Sequence, residues 1–125
     1  MQHQDAIALN LEYGCISDES GYSLSSNTLN LEKDIFSKDA LIFKNLNSKK
    51  VSLENTTNSK KVNMTFDGFE YLAFWAPVGA SFVCIEPWCG VADHINTNHN
   101  LEEKISIIKL AKNEIFQKSL FISLD

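Results

Sequence analysis

Apolar and polar positions alternate with a period of two along much of this chain, and that pattern predicts strands. From Ala6 to Tyr13, the residues Ile7, Leu9, Leu11 and Tyr13 fall on one side, and Gly14 ends the run. Ser17 to Thr28 is rich in Ser, Asn, Asp and Gly around Tyr22 and Leu24, which predicts a loop or a short, ragged strand. Leu29, Leu31, Ile35 and Phe36 lead through a helical turn into a compact turn or strand at residues 39–43. Two alternating runs, residues 50–55 and 61–66, flank a Thr-Asn-Ser cluster and predict a β-hairpin whose loop has about four or five residues. Residues 69–75, dense in aromatics, predict a central strand packed on both faces.

The stretch Phe82-Val83-Cys84-Ile85-Glu86-Pro87-Trp88-Cys89-Gly90 is a short apolar run with one carboxylate set into it. Bounded by Gly79 before and by Pro87 and Gly90 after, it predicts a buried or half-buried strand. Side chains alternate across a strand, so Phe82, Cys84 and Glu86 share one face and Val83 and Ile85 the other. Val91 to Asn100 follows as a long polar loop carrying His94 and His99. Asn100 with Glu103 has the capping-box spacing for a short helix at residues 101–109, and residues 115–124 alternate as a terminal strand.

Composition narrows what such a chain can do. With 125 residues, 44% of them hydrophobic, the chain can bury one modest core, so residues 1–125 are expected to form one domain or part of one. A net charge of −5 and 11 basic residues, none in a stripe, argue against nucleic acid or an anionic membrane as partner. No apolar stretch reaches the ~20 residues of a membrane span, and Met1 to Asn10 lacks the blocks of a signal peptide. A cytoplasmic protein with three reduced cysteines is the expectation.

Candidate chemistry centres on Glu86. A carboxylate among apolar neighbours loses hydration, and unless donors compensate it can hold or take a proton. The competing reading places Glu86 at the strand mouth, solvated or paired. Cys84, Cys89, His94 and His99 are evenly spaced zinc-type ligands, but structural zinc sites separate their ligand pairs by a longer excursion. No metal or other cofactor is therefore expected. Glycine-rich phosphate loops, a serine nucleophile elbow and cysteine-nucleophile signatures are absent from the sequence. Trp75, Trp88 and Tyr71 are residue types that form apolar platforms for a sugar face, with Tyr71 better read as core.

The run from Phe82 to Trp88, followed by Gly90 and Ala92-Asp93, resembles the signature of the aldose 1-epimerase (galactose mutarotase) family, in its bacterial LacX-like branch. Leu31 to Phe43, Lys49-Lys50-Val51, Phe69-Glu70-Tyr71-Leu72 with Trp75, and Lys104, Ile107 and Leu110 are similar to that branch in the same order. The resemblance implies an all-β fold, an antiparallel β-sandwich of the galactose mutarotase type, of which this chain would be the C-terminal part. It implies an isomerase that interconverts the α and β anomers of a hexose by general acid/base ring opening. Glu86 matches the base, Asp39 an aspartate that holds sugar hydroxyls, and Trp75 and Trp88 the pocket walls. The family's acid histidine and sugar-binding arginine lie ahead of the matched region, and His3, His94 and His99 do not replace them. Little activity from this chain alone, and self-association through an exposed sheet face or edge, are the corresponding expectations. A non-catalytic carbohydrate-binding module, or an inactive fragment, is the alternative.

Overall fold

The computed structural model describes residues 4–125. Two compact units emerge, one from the chain up to Leu46 with Glu70–Lys109, the other from Asn47–Phe69 with Leu110–Asp125. Each is an antiparallel sheet.

The first unit holds β1 (Gln4–Glu12), β2 (Cys15–Leu24), β3 (Leu41–Lys44), β6 (Tyr71–Trp75) and β7 (Cys84–Trp88), in the order β2-β1-β3-β6-β7. The second holds β4 (Lys50–Glu54), β5 (Lys61–Thr65) and β8 (Phe121–Leu124), in the order β4-β5-β8.

Of the segment Ser17 to Thr28, read as a loop or a short, ragged strand, the part up to Leu24 belongs to the ten-residue β2, which pairs with β1. Tyr13 and Gly14 join the two with φ of 52° and 77°, the positive pair that a tight hairpin of right-handed twist requires. The register slips between Asn10 and Leu11, leaving Ser17 as the extra residue of a bulge. Such a strand is imposed by its partner and its turn, since its exposed stretch from Asp18 to Gly21 supplies no apolar alternation.

Register assigns the two faces of the larger sheet. Leu9, Ile42 and Ala73 are successive partners across β1, β3 and β6, and with Ile16, Tyr71 and Val91 they form a buried cluster on one face. Ala8, Phe43 and Leu72 define the other face, where Phe43 packs with Ala6 and Ala8, edge-on to Tyr22 at 5.2 Å and to Phe74 at 6.0 Å. Tyr71, Leu72 and Ala73 are all buried, so β6 is packed on both faces at its start, as the aromatic run predicts.

After β7 the chain forms a strap over the first face. Val91 and Ala92 pack on the buried cluster, and the strap then reaches the far edge of the sheet. There Ile16 N–H donates to the Asp93 carbonyl at 2.8 Å, and Ile95 N–H donates to the Ile16 carbonyl at 2.8 Å. The strap returns to β6, where the Tyr71 hydroxyl and Ser106 Oγ share a 2.6 Å hydrogen bond. The helix expected at residues 101–109 is only the 3₁₀ turn Leu101–Glu103, capped by Asn100, whose side chain accepts from the Glu102 N–H. Leu101, Ile105, Ile108 and Leu110 stay exposed, so the apolar face that would sustain a longer helix has nothing to bury against.

In the smaller sheet, Val51, Leu53, Val62, Met64, Ile122 and Leu124 occupy one face by register, and Ser52, Asn63 and Ser123 the other. The β4–β5 connection is residues 55–60, slightly longer than the sequence suggests, and β8 is four residues long, without Phe116 and Leu120.

Candidate functional site

β7 forms one edge of the larger sheet, and all five of its residues are half-buried. Its pairing with β6 sets Trp75 opposite Cys84, Ala73 opposite Glu86, and Tyr71 opposite Trp88. Side chains at directly paired positions lie on the same face, and alternate positions along a strand share it too. Trp75, Glu86 and Trp88 therefore stand together on the strapped face, with Cys84 between the first two. Phe82 falls outside the strand and is 58% exposed, so it does not extend this row as strict alternation would have it.

Ala73 is fully buried and small, so the carboxylate of Glu86 faces a methyl group across the strand pair rather than a bulky neighbour. The Trp88 indole Nε1–H donates to Glu86 Oε2 at 3.1 Å. The Trp88 ring packs against the buried cluster, whereas Trp75, at 37% exposure, stands open at the other end of the row. The row thus runs from a covered tryptophan, through a half-buried carboxylate, to an open tryptophan.

Asp39 is in a different setting. It lies two residues before β3, exposed, with φ at 123°, and its Oδ1 accepts from the Ala40 N–H at 2.7 Å. Among the described residues no hydrogen bond connects it with Glu86 or either tryptophan.

Sheet order also decides the zinc-type pattern. Cys84 is on β7 and His94 is bridged to β2 at the opposite edge. The four intervening strand spacings of about 4.8 Å amount to roughly 19 Å, far beyond any shared ion. His94 is occupied structurally: Nδ1 accepts from the Asn96 N–H at 3.1 Å, and Nε2 lies 3.1 Å from the carbonyl oxygen of Ser17, the bulge residue. A carbonyl only accepts, so these contacts fit the tautomer protonated at Nε2. Among the described residues no group of three or more His, Cys, Asp or Glu is arranged to hold a metal ion. The three cysteines are free and half-buried.

Two clefts lie elsewhere in this unit. One of 570 Å³ is bounded by the end of β2 and residues 28–35, and one of 220 Å³ by the strap between Asp93 and Ile105. Neither includes Glu86. The Glu86 row lies at the β7 edge of the strapped face.

Nothing local marks two contributors. Ala73 becomes meaningful only once its register with Glu86 is known, and Ser106 only once the strap returns to Tyr71.

No family model matches the chain. It is 27% identical over 110 residues to the plasmid-encoded protein LacX of Lactococcus lactis subsp. lactis, an alignment covering 87% of this chain and 37% of the relative. The chromosomal LacX protein of the same organism matches with the same identity and coverage. The X-ray structure of a galactose mutarotase related enzyme from Lactobacillus acidophilus superposes with a TM-score of 0.73 and 26% identity, covering 97% of this chain and 40% of that one. The chain is thus a distant homologue of LacX and of a galactose mutarotase-related enzyme, and it shares the latter's antiparallel all-β fold. It spans well under half of their length, from 37% to 40%.

Proposed function

We propose that this chain carries the general base of a mutarotase-type aldose 1-epimerase, with Glu86 acting on the anomeric hydroxyl of a hexose held against Trp75. The observation that carries this reading is the row on the strapped face. Register places a half-buried carboxylate between two tryptophans, opposite the smallest side chain of β6. A sugar presents an apolar C–H face that an indole covers and hydroxyls that a carboxylate accepts.

In this reaction Glu86 accepts the proton of the C1 hydroxyl. The O1 electron pair closes to a C1 carbonyl, the bond between C1 and the ring oxygen breaks, and the ring oxygen takes a proton from an acid. Rotation about the C1–C2 bond presents either face of the carbonyl, and the steps run in reverse to give either anomer. Only the base is assigned to this chain. His94 is tied at the opposite edge of the sheet, roughly 19 Å away by strand spacing, and cannot serve as the acid. In the resemblance the acid is a histidine preceding the matched region. Asp39 Oδ1 accepts from the Ala40 N–H, which leaves Oδ2 as the oxygen that would accept from a sugar hydroxyl.

The test is polarimetry on freshly dissolved α-galactose, using the natural polypeptide that carries residues 1–125. Glu86→Gln should reduce the rate to that of buffer, and equal rates for the two proteins would sink the assignment. Loss of the acid alone typically costs ~10²- to 10⁴-fold, so a weak rate that still depends on Glu86 supports the reading.

The engagement of His94 favours a second reading, a carbohydrate-binding module without turnover. Hexose binding with no rate that depends on Glu86 would select it. We further propose that the apolar face of the smaller sheet supports self-association. Ile122 and Leu124 lie at its open end, 58% and 77% exposed.

A further inference from the structure

We propose that Trp88 is a positioning residue for Glu86, and that Glu86-Pro87-Trp88 is a self-contained device for aiming one carboxylate oxygen. The proposal rests on the mutarotase reading above and goes beyond a wall role for Trp88.

Each residue of the tripeptide has a part. Proline fixes its own φ near −65° and keeps the preceding residue out of the helical region, so Pro87 holds Glu86 extended. An extended backbone puts residues i and i+2 on one face, about 7 Å apart. The indole of Trp88 can therefore reach back along β7, and its Nε1–H donates to Glu86 Oε2 at 3.1 Å. The ring cannot readily swing away, because it packs against the buried cluster containing Tyr71, its partner across the strand pair. Ala73 opposite Glu86 offers no hydrogen bond from its side chain. Among the described residues the indole is the carboxylate's one protein donor, so Oε2 is held and Oε1 is left to receive the anomeric proton. A base must be placed within hydrogen-bond reach of the proton it takes, and a misplacement of about 1 Å can cost ~10²-fold.

The experiment has two arms. In the 125-residue chain, the Trp88 indole N–H resonance is followed by ¹H–¹⁵N NMR in wild type and Glu86→Ala. Loss of the acceptor should move the resonance upfield and speed its exchange with solvent; an unchanged resonance overturns the proposal. In the natural polypeptide, Trp88 is replaced by β-(3-benzothienyl)alanine, which keeps the bicyclic shape and lacks the N–H. The expected result is a kcat lower by about 10- to 100-fold with KM nearly unchanged. An unchanged kcat, or a loss confined to KM as a simple wall would give, overturns it. A wild-type protein without anomerase turnover would defeat the mutarotase reading and this role together. The first arm would show separately whether the contact exists.

Discussion

Replacing Tyr71 by Phe removes one oxygen and leaves the ring where it is. Tyr71 is 1% exposed in the cluster beneath the strap, so its packing is retained and the change isolates the 2.6 Å hydrogen bond to Ser106 Oγ. A neutral hydrogen bond contributes a net ~1 kcal/mol. Ser106 is only half-buried and its hydroxyl can turn to water, so the larger penalty for a stranded polar group does not apply. Urea unfolding followed by tryptophan fluorescence should show a loss of ~1 kcal/mol near neutral pH. The pH dependence has a definite sign. Burial raises the Tyr71 phenol above its ordinary value of 10.0, and the Ser106 hydrogen bond opposes that with a smaller effect. A folded-state value above the unfolded one gives stability that is intact below the unfolded value and is lost as pH rises through the folded one. Phe has no such proton to lose, so the gap between the two proteins should shrink in the alkaline range. A gap that stays constant there, or a neutral-pH loss above about 3 kcal/mol, would refute the isolated-bond account.

Three further outcomes follow from burial and exposure. Phe43→Ala should cost about 3–5 kcal/mol in the same urea assay, since Phe43 is 2% exposed, whereas Phe82→Ala, at 58% exposure, should change stability by less than ~0.5 kcal/mol. Leu124→Lys, on the open end of the apolar face, should lower any concentration-dependent association in sedimentation velocity with little effect on unfolding. Glu19→Gln removes the 2.6 Å ion pair with Lys44, whose side chains are 47% and 26% exposed, so the loss should be ~0.2–1 kcal/mol and fade in high salt. Lys44 itself titrates higher because it donates to Glu19, and the substitution should lower its titration in ¹H–¹⁵N NMR.

Where one face of a strand is apolar, the sequence pattern finds the strand. β1, β4 and β5 follow from alternation, β6 from its dense aromatic run and β7 from a short apolar run bounded by Gly and Pro, and parity sets Cys84 and Glu86 on one face. β2 eluded it because Ser17, Asp18, Glu19 and Ser20 resemble loop composition. Their strand state comes from pairing with β1 and the Tyr13-Gly14 turn, both outside the segment. The helix expected after Asn100 failed for the complementary reason. Its cap forms, but its apolar residues find no surface, and a short helix without packing does not persist.

At the candidate site, Cys84 and Glu86 were legible as neighbours on one strand face, and Trp88 and Trp75 joined them only through the observed extent and register of β7. Asp39 was proposed from order along the chain, which carries no information about side-chain direction. Its backbone is left-handed and its Oδ1 accepts from the Ala40 N–H. The strap was not legible because the contacts that tie it to the sheet join residues distant in sequence, as with Ile16 and Asp93 or Tyr71 and Ser106.

The measurement that bears most directly on the central claim is a ¹H–¹⁵N NMR titration of the 125-residue chain with galactose. A hexose site on the strapped face predicts saturable shifts of the Trp75 and Trp88 indole N–H signals and of the Glu86 amide, all lost or weakened in Glu86→Gln. A folded, well-dispersed spectrum in which these signals stay fixed at saturating sugar would contradict the claim.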